Sequence, residues 1–279
     1  MELVVVCALV GLVCGKSVDS HVDLDYHNHV GIPAAKRIKA HELEMHRSIR
    51  ITGGAPAGIG QYPFFGGLLI TMIDDSHSVC GSTLLSNTRA VTAAHCWRTT
   101  FSQAKLFTVI YNSIFLFSGG TRVSTSDVEL HEDYDATTIY NDIAIIKHAW
   151  VDFNSAIHSI PIAIGEDSYV GQWAQAIGFG RTSDSPIISH DRFLSHVFVQ
   201  VMTNEECERT YGPAVINSTL CVATTGGRST CIGDSGGPLV VDNKLIGVTS
   251  FGHAGDCTRN NPTGFSRVNC FAAWINDRL

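Results

Sequence analysis

Three short segments of the sequence carry residue types that together suit acyl transfer. CIGDSGGP, residues 231–238, places Ser235 between an aspartate and two glycines. A serine hydroxyl is a poor nucleophile unless a base takes its proton, and glycines let backbone N–H groups approach a developing oxyanion. His95 in VTAAHC is a candidate for that base. Asp142 opens the apolar run DIAIIKH and is a candidate to orient the histidine, because an acid entering a buried strand needs a hydrogen-bonding partner.

The elements that would position these residues are short strands. From residue 51 onward, apolar runs of five to eight residues alternate with Gly, Asn, Asp and Ser. PLVVDNKLIGVTSF, residues 238–251, predicts two strands joined by a hairpin at Asp242-Asn243-Lys244. Only FAAWINDRL, residues 271–279, has a helical pattern. Many short strands, 26 glycines and only 16% charged residues predict an all-β protein built from barrels or sandwiches.

The first fifty residues differ from the rest. The apolar run over residues 3–13 is too short to span a bilayer and suits the core of a signal peptide, which we place at 1–15. A buried strand or helix is the alternative for this run. Residues 16–50 hold five of the 13 histidines, no cysteine and few large apolar residues, which predicts a weakly ordered leader. We expect His27 and His29 to be solvated and not metal ligands, because no further ligand cluster accompanies them.

Charge and cysteine content bound the partners and the compartment. The net charge of −7 gives no electrostatic reason to expect nucleic acid or an anionic membrane as partner. Nothing in the sequence implies a metal or an organic cofactor. Seven of the nine cysteines lie beyond the predicted signal peptide. Most of these should pair in an oxidising compartment, but spacing alone leaves their connectivity open.

In the chain order His, Asp, Ser, the three motifs resemble those of the chymotrypsin-like serine endopeptidases. The resemblance covers residues 51–279, and SGGTRV, GFGRTSD, IGVTSFG and GFSRV are similar to the insect midgut chymotrypsins and collagenase-like proteases. It implies two antiparallel six-stranded β-barrels packed together, over about 51–155 and 156–279, with a short C-terminal α-helix. It also implies a secreted digestive endopeptidase of the gut lumen, which we expect to be a monomer.

The family's mechanism gives each motif a role. By resemblance, Ser235 attacks the scissile carbonyl, His95 acts as the general base, and Asp142 holds the imidazole and stabilises the imidazolium. The N–H groups of Gly233 and Ser235 would form the oxyanion hole. Ser250 matches the serine that helps to hold the aspartate. A protease homologue that binds without catalysis is the alternative from another class, and the presence of all three residues argues against it.

The resemblance also identifies a specificity pocket. Ser229 falls at its base, where trypsin-like members carry an aspartate, and Gly252 and Thr263 fall on its walls. An uncharged base would leave a Lys or Arg side chain desolvated without compensation. Gly252 leaves the entrance open, and Thr263 would shorten the pocket. We therefore expect large apolar P1 residues such as Phe, Tyr or Leu, with an elastase-like or collagenase-like preference as the alternative.

A basic residue directly precedes the sequence ITGG at the start of the protease-like region. By resemblance, a trypsin-like enzyme cuts after Arg50 and frees the α-amino group of Ile51, which pairs with Asp234 beside the nucleophile. Residues 16–50 would then be an activation propeptide. Arg47 is a competing cleavage site, but it would free a polar first residue. The implied partners are the activating protease, protein or peptide substrates, and protein protease inhibitors.

The same resemblance implies a disulfide pattern and an alkaline gut lumen as the place where the protein acts. The implied pairs are Cys80–Cys96, Cys207–Cys221 and Cys231–Cys257. Cys270 is left over, and we expect it to be a buried free thiol. Residues 51–279 contain 10 Arg but only three Lys. Arginine keeps its charge at high pH, which agrees with an alkaline gut lumen.

Overall fold

The fold is given by a computed structural model. It describes residues 22–48, 60–179, 194–224, 234–252 and 261–279, with side chains described only to residue 44 in the first range. These ranges form two β-sheets, three α-helices and a few single turns of tighter or wider helix. No helix among them is long and apolar enough to cross a membrane. The predicted signal peptide, 1–15, lies outside the described residues.

The first sheet has seven antiparallel strands in the order β5-β4-β1-β2-β3-β7-β6. The strands are β1 (Phe65–Met72), β2 (His77–Ser86), β3 (Arg89–Thr92), β4 (Ala104–Tyr111), β5 (Thr121–Thr125), β6 (Val128–Leu130) and β7 (Ala144–Lys147). Strands β5 and β6 follow each other in the chain yet lie at opposite edges of the sheet. Residues 121–130 therefore connect the two edges of the sheet, which must curl to allow this. If β5 and β6 are counted as one strand interrupted at residues 126–127, the sheet has the six strands that we expected.

The second sheet is a closed six-stranded barrel in the order β10-β13-β12-β11-β8-β9. The strands are β8 (Trp173–Gly178), β9 (Ser195–Met202), β10 (Thr219–Ala223), β11 (Pro238–Val241), β12 (Lys244–Phe251) and β13 (Thr263–Arg267). The predicted hairpin joins β11 and β12. Its central residues Asp242 and Asn243 have φ of 46° and 57°, as the preferred two-residue hairpin turn requires.

Each sheet encloses a separate apolar core. Phe107, Ile145 and Leu68 are fully buried in the first, and Leu239 and Ile246 in the second. The chain ends in the short helix α3 (Ala272–Asn276). An all-β fold of two barrel-like sheets with a short C-terminal helix is thus confirmed.

The helix α2 (Asn204–Tyr211) was not predicted, although the sequence contains its signal. The Thr203 side chain accepts a hydrogen bond from the Glu206 N–H, and the Glu206 side chain accepts one from the Thr203 N–H. This reciprocal capping box satisfies two N–H groups that the first turn of a helix leaves unpaired. The pattern T-x-x-E at 203–206 therefore marks the start of α2.

The prediction of a weakly ordered leader is wrong for residues 22–48. A wide helical turn, His27–Gly31, continues into α1 (Ile32–Ser48). The buried residues of this helix recur every three or four positions and are Ala34, Ala35, Ile38, His41 and Glu42. This face escaped notice because it is built from small and polar side chains instead of large apolar ones.

The histidines of this segment divide into two groups. His27 is fully buried, so the expectation that it is solvated is wrong, whereas His29 is exposed as expected. His27 Nδ1 is paired with Ser78 Oγ of β2 at 2.9 Å. Burial within a protein surface, which the local sequence does not show, accounts for the difference.

The described cysteines form two disulfides, Cys80–Cys96 and Cys207–Cys221. Cys231 and Cys257 lie outside the described residues. Cys270 is free, but the expectation that it is buried is wrong, since it is exposed. It lies in the turn of helix Val268–Phe271, where its thiol faces the backbone carbonyl of Asn217 at the surface.

Candidate active site

The first sheet supplies a buried imidazole–carboxylate pair. His95 lies in a single helical turn, Ala94–Cys96, directly after β3, and Asp142 lies two residues before β7. His95 Nδ1 is 2.7 Å from Asp142 Oδ2, and the His95 backbone N–H donates to Asp142 Oδ1 at 2.8 Å. Both side chains are almost fully buried. Since the carboxylate accepts the Nδ1–H, Nε2 of a neutral imidazole is left as the basic nitrogen.

The second barrel completes the hydrogen bonding of the aspartate. Ser250, near the end of β12, donates its hydroxyl to Asp142 Oδ2 at 2.5 Å. Ser266 of β13 donates to the Asp142 backbone carbonyl at 2.6 Å. The Ser250 bond adds a partner to a carboxylate that is only 1% exposed, and the two bonds together join the second barrel to Asp142. The expectation that Ser250 holds the aspartate is confirmed.

Ser235 lies on a tight turn between the two sheets. The Gly81 N–H of β2 donates to the Ser235 carbonyl at 2.7 Å, and the Gly236 N–H donates to the Thr249 carbonyl at 2.8 Å. Gly236 has a φ of +77°, and a Cβ there would overlap the Thr92 hydroxyl. Only glycine fits this conformation and this space, which gives a physical reason for GDSGG.

Asp234 is buried beside the nucleophile turn. It is 9% exposed, and its carboxylate lies so close to Gly178 of β8 that a Cβ on Gly178 would overlap it. Ile51, with which the resemblance pairs it, and Arg50, the residue before the expected cleavage site, lie outside the described residues. The same is true of Gly233, the other expected oxyanion-hole residue.

Two of the three specificity-pocket residues are described. Among the described residues, no atom lies within 4 Å of the position that a Cβ on Gly252 would take. Thr263 is 5% exposed at the start of β13, where its side chain is packed inside the protein. Ser229 lies outside the described residues.

Sequence reasoning missed Tyr26, which lies at the centre of the site. Its ring meets the His95 imidazole edge-on, with 4.7 Å between ring centroids, and its hydroxyl donates to the Val79 carbonyl at 2.6 Å. Burial raises the pKa of Tyr26, and a hydrogen-bonding interaction with the Ser235 side chain opposes that rise. No local signal marks Tyr26, because its environment comes from β2 and from the nucleophile turn.

The described residues contain one group of potential metal ligands, Cys80, His95 and Cys96. The two cysteines form a disulfide with each other, so neither is available as the thiolate that a metal would need. The histidine is held by Asp142. The chemistry of this group therefore does not support a metal site.

Comparisons with known proteins place this geometry in a family. A family model described as Trypsin matches residues 51–275. The chain is 38% identical to Serine protease 1 of Drosophila melanogaster over 236 residues, which cover 82% of this chain and 85% of the relative. It is 34% identical to Collagenase of Hypoderma lineatum over 235 residues, covering 82% and 87%.

The solved structure of HL collagenase agrees with these matches. It superposes with a TM-score of 0.72 at 33% identity, covering 82% of this chain and 98% of the other. The match extends over both barrels, so it includes the elements that carry His95, Asp142 and Ser235.

Proposed function

The chain belongs to the trypsin family of serine proteases, whose reaction is peptide-bond hydrolysis, and from this premise we propose that it is a secreted digestive zymogen. The proposal rests on one observation above all. A buried His95–Asp142 pair, hydrogen-bonded at 2.7 Å, lies next to a serine on a glycine-rich turn. Proteases of this family are typically secreted.

In the proposed mechanism the three side chains act in sequence. Ser235 attacks the scissile carbonyl while His95 takes its proton and later returns it to the leaving amine. Asp142 keeps the proton on Nδ1 and stabilises the imidazolium. The Ser235 and Gly233 N–H groups bind the oxyanion, and losing one such donor typically costs about 2.7–4 kcal/mol of transition-state stabilisation.

Activation follows from cleavage between Arg50 and Ile51 by a trypsin-like protease. The new α-amino group of Ile51 pairs with the Asp234 carboxylate, which is buried directly before the nucleophile. An ammonium is the partner that most stabilises a buried carboxylate. This ion pair fixes the backbone on which the oxyanion hole depends.

The preferred P1 side chain is large and apolar. No described residue obstructs the space beside Gly252, which leaves room for a bulky group, and the buried Thr263 limits how long that group can be. With Ser229 at the base, nothing compensates a desolvated cation. The similarity to Collagenase of Hypoderma lineatum supports a collagenase-like preference as the second candidate.

The test combines activation, labelling and a P1 scan on the secreted protein. Trypsin treatment should yield a new N-terminus at Ile51, and a fluorophosphonate probe should then label Ser235 in the wild type and nothing in Ser235→Ala. On P1-varied peptide anilides, kcat/KM for Phe, Tyr or Leu should exceed that for Arg by at least about 100-fold. Absence of labelling would refute the enzymatic function, and an Arg preference would refute the proposed specificity.

We also propose that the enzyme acts in the gut lumen and that protein protease inhibitors regulate it. An activity optimum above neutral pH supports the alkaline lumen, and an optimum below pH 7 contradicts it. We expect the mature enzyme to be a monomer, which sedimentation would test directly.

A further inference from the structure

The pro-segment, residues 16–50, crosses the catalytic cleft in the part that the structure describes. Tyr26 lies against the His95 imidazole, with 4.7 Å between ring centroids, and its hydroxyl donates to the Val79 carbonyl of β2. No hydrogen bond joins His95 directly to Ser235 among the described residues. The pro-segment tyrosine therefore covers the catalytic base, while the base is not hydrogen-bonded to the nucleophile.

The chain preceding Tyr26 fills the cleft beside the catalytic pair. Val22 is 8% exposed and packs in an apolar cluster with Ile139, Tyr211 and Phe251, the residue that follows Ser250. The space left between residues 23–26 and His95 is a cavity of about 20 Å³. That volume suits a single water molecule and excludes a peptide substrate.

The chain following Tyr26 is anchored to β2. His27 Nδ1 is hydrogen-bonded to the Ser78 hydroxyl at 2.9 Å. The Tyr26 hydroxyl donates to the backbone carbonyl of Val79, the next residue along β2. Gly31 approaches so closely that a Cβ there would overlap the Ser78 hydroxyl. The helical turn His27–Gly31 therefore packs directly against β2, with no space for an added methyl group at Gly31.

A second anchor lies at the far side of the helix α1. The buried Glu42 carboxylate accepts hydrogen bonds from the N–H groups of Leu116 and Phe117, at 2.5 and 3.0 Å. Backbone N–H groups that converge in this way favour a negative charge. Between the two anchors, Ala34, Ala35 and Ile38 join the core of the first sheet. The docking surface therefore combines an apolar face with two polar ends.

We infer that the pro-segment is a built-in inhibitor that occupies the active site and remains bound after the Arg50–Ile51 bond is cut. This inference rests on the proposed function. The pro-segment contains no cysteine, so after cleavage only non-covalent contacts retain it. Activity then requires two events, cleavage and dissociation. Cleavage supplies the Ile51 ammonium, and dissociation exposes His95 and Ser235.

The geometry favours an inhibitor over a substrate. The part of Tyr26 that meets the catalytic base is its ring, and not its peptide bond. The backbone of Tyr26 has helical φ and ψ of −47° and −47° and leads directly into the helical turn His27–Gly31. Its peptide bond is thus part of a helix and is not offered to the nucleophile.

The test needs a cut that leaves the pro-segment whole, since Lys36, Arg37 and Lys39 are themselves trypsin sites. In the full chain, residues 46–50 are replaced by the enteropeptidase site Asp-Asp-Asp-Asp-Lys, so that cleavage frees Ile51 alone. Specific activity and the rate of fluorophosphonate labelling are measured as the cleaved protein is diluted from micromolar to nanomolar concentration. The protein that carries this site and no other change serves as the wild type for the variants below. After cleavage it should be nearly inactive at micromolar concentration and gain activity on dilution.

Variants in the pro-segment share one internal control, because all of them release a mature enzyme of identical sequence. Tyr26→Ala should weaken retention roughly 100-fold, and Tyr26→Phe, which keeps the ring but removes the hydroxyl and its bond to Val79, about tenfold. Gly31→Ala should weaken it as well, through its overlap with Ser78. Leu43→Ala alters an exposed position on the same helix and should behave as the wild type.

The outcomes separate the inference from the function on which it rests. If the cleaved wild type is fully active at once at micromolar concentration, or if Tyr26→Ala gains activity on dilution as the wild type does, the inhibitor is refuted. Rapid cleavage of the pro-segment after Tyr26, seen by mass spectrometry, would also refute it. If no variant labels Ser235 at the highest dilution, the proposed function fails instead.

Discussion

The two sides of the catalytic cleft differ in how their reactive groups are held. On the side of the first sheet, His95 and Asp142 are joined at 2.7 Å, and Ser250 completes the carboxylate's bonds. On the other side, Ser235 makes no hydrogen bond to His95 among the described residues, and Tyr26 of the pro-segment covers the imidazole. The comparison shows that the acid–base pair can be assembled within the folded barrels while another part of the chain still blocks access to it.

The largest expected effect concerns the acid–base side. Asp142→Asn should lower kcat/KM of the activated, pro-segment-free enzyme by about 10⁴-fold, the magnitude known for this family's triad, because the amide favours the wrong tautomer of His95. Asp133→Asn changes an exposed carboxylate nearby and should leave kcat/KM unaltered. A loss below about tenfold for Asp142→Asn would mean that this side does not carry the catalysis.

An intermediate effect concerns the retained pro-segment and pH. The pKa of His27 is lowered to about 4, mainly by burial and also by the charge of His95, although a backbone interaction with His95 and the charge of Asp25 oppose the shift. The docked state excludes the proton, so docking is strongest above the ordinary pKa of about 6.5 and weakens as pH falls toward 4. Between about pH 7.5 and pH 5, retention should weaken roughly 10- to 30-fold, measured by gel filtration of the cleaved complex.

The matched variant for this pH effect is His27→Gln, which keeps a polar side chain but cannot titrate. It should reduce the dependence on pH and leave only the contributions of other groups. If retention of the pro-segment depends on pH equally in the wild type and in His27→Gln, another group causes the effect. Protonation of His27 would then play no part in docking.

The smallest effect concerns the serine that supports Asp142. Ser250→Ala should lower kcat/KM about tenfold, the lower end of the about 1.5–3 kcal/mol that a hydrogen bond to a charged group contributes, because two bonds from His95 still hold the carboxylate. Ser266→Ala removes a bond only to the Asp142 backbone carbonyl and should lower kcat/KM less. A decrease of equal size in both variants would indicate loss of structure alone.

The fold and the acid–base side could largely be anticipated from the sequence. The apolar runs and the Asp242-Asn243 turn predicted β-strands and a hairpin, because strand and turn preferences are local. The motifs identified His95 and Asp142, which are 47 positions apart in the sequence and which the fold brings into hydrogen-bonding contact. The capping box before α2 was equally local, and its T-x-x-E pattern would have revealed that helix.

The pro-segment could not be anticipated in this way. Its helix has no strong apolar stripe, and most of the stability of a helix in a protein comes from tertiary packing and not from local propensity. Tertiary contacts supply its stability, from β2 at one end and the Leu116–Phe117 backbone at the other. The exposure of Cys270 was likewise decided by the surface on which its helical turn lies.

The sequence by itself therefore determined the strand pattern, the resemblance to a protease family and the residues of the acid–base pair, since each depends on short motifs. Only the tertiary structure decided that Tyr26 and His27 are buried at the active site and that Glu42 is bound by backbone N–H groups. The physical reason is that burial depends on which distant surfaces meet, and those surfaces exist only after both barrels have formed.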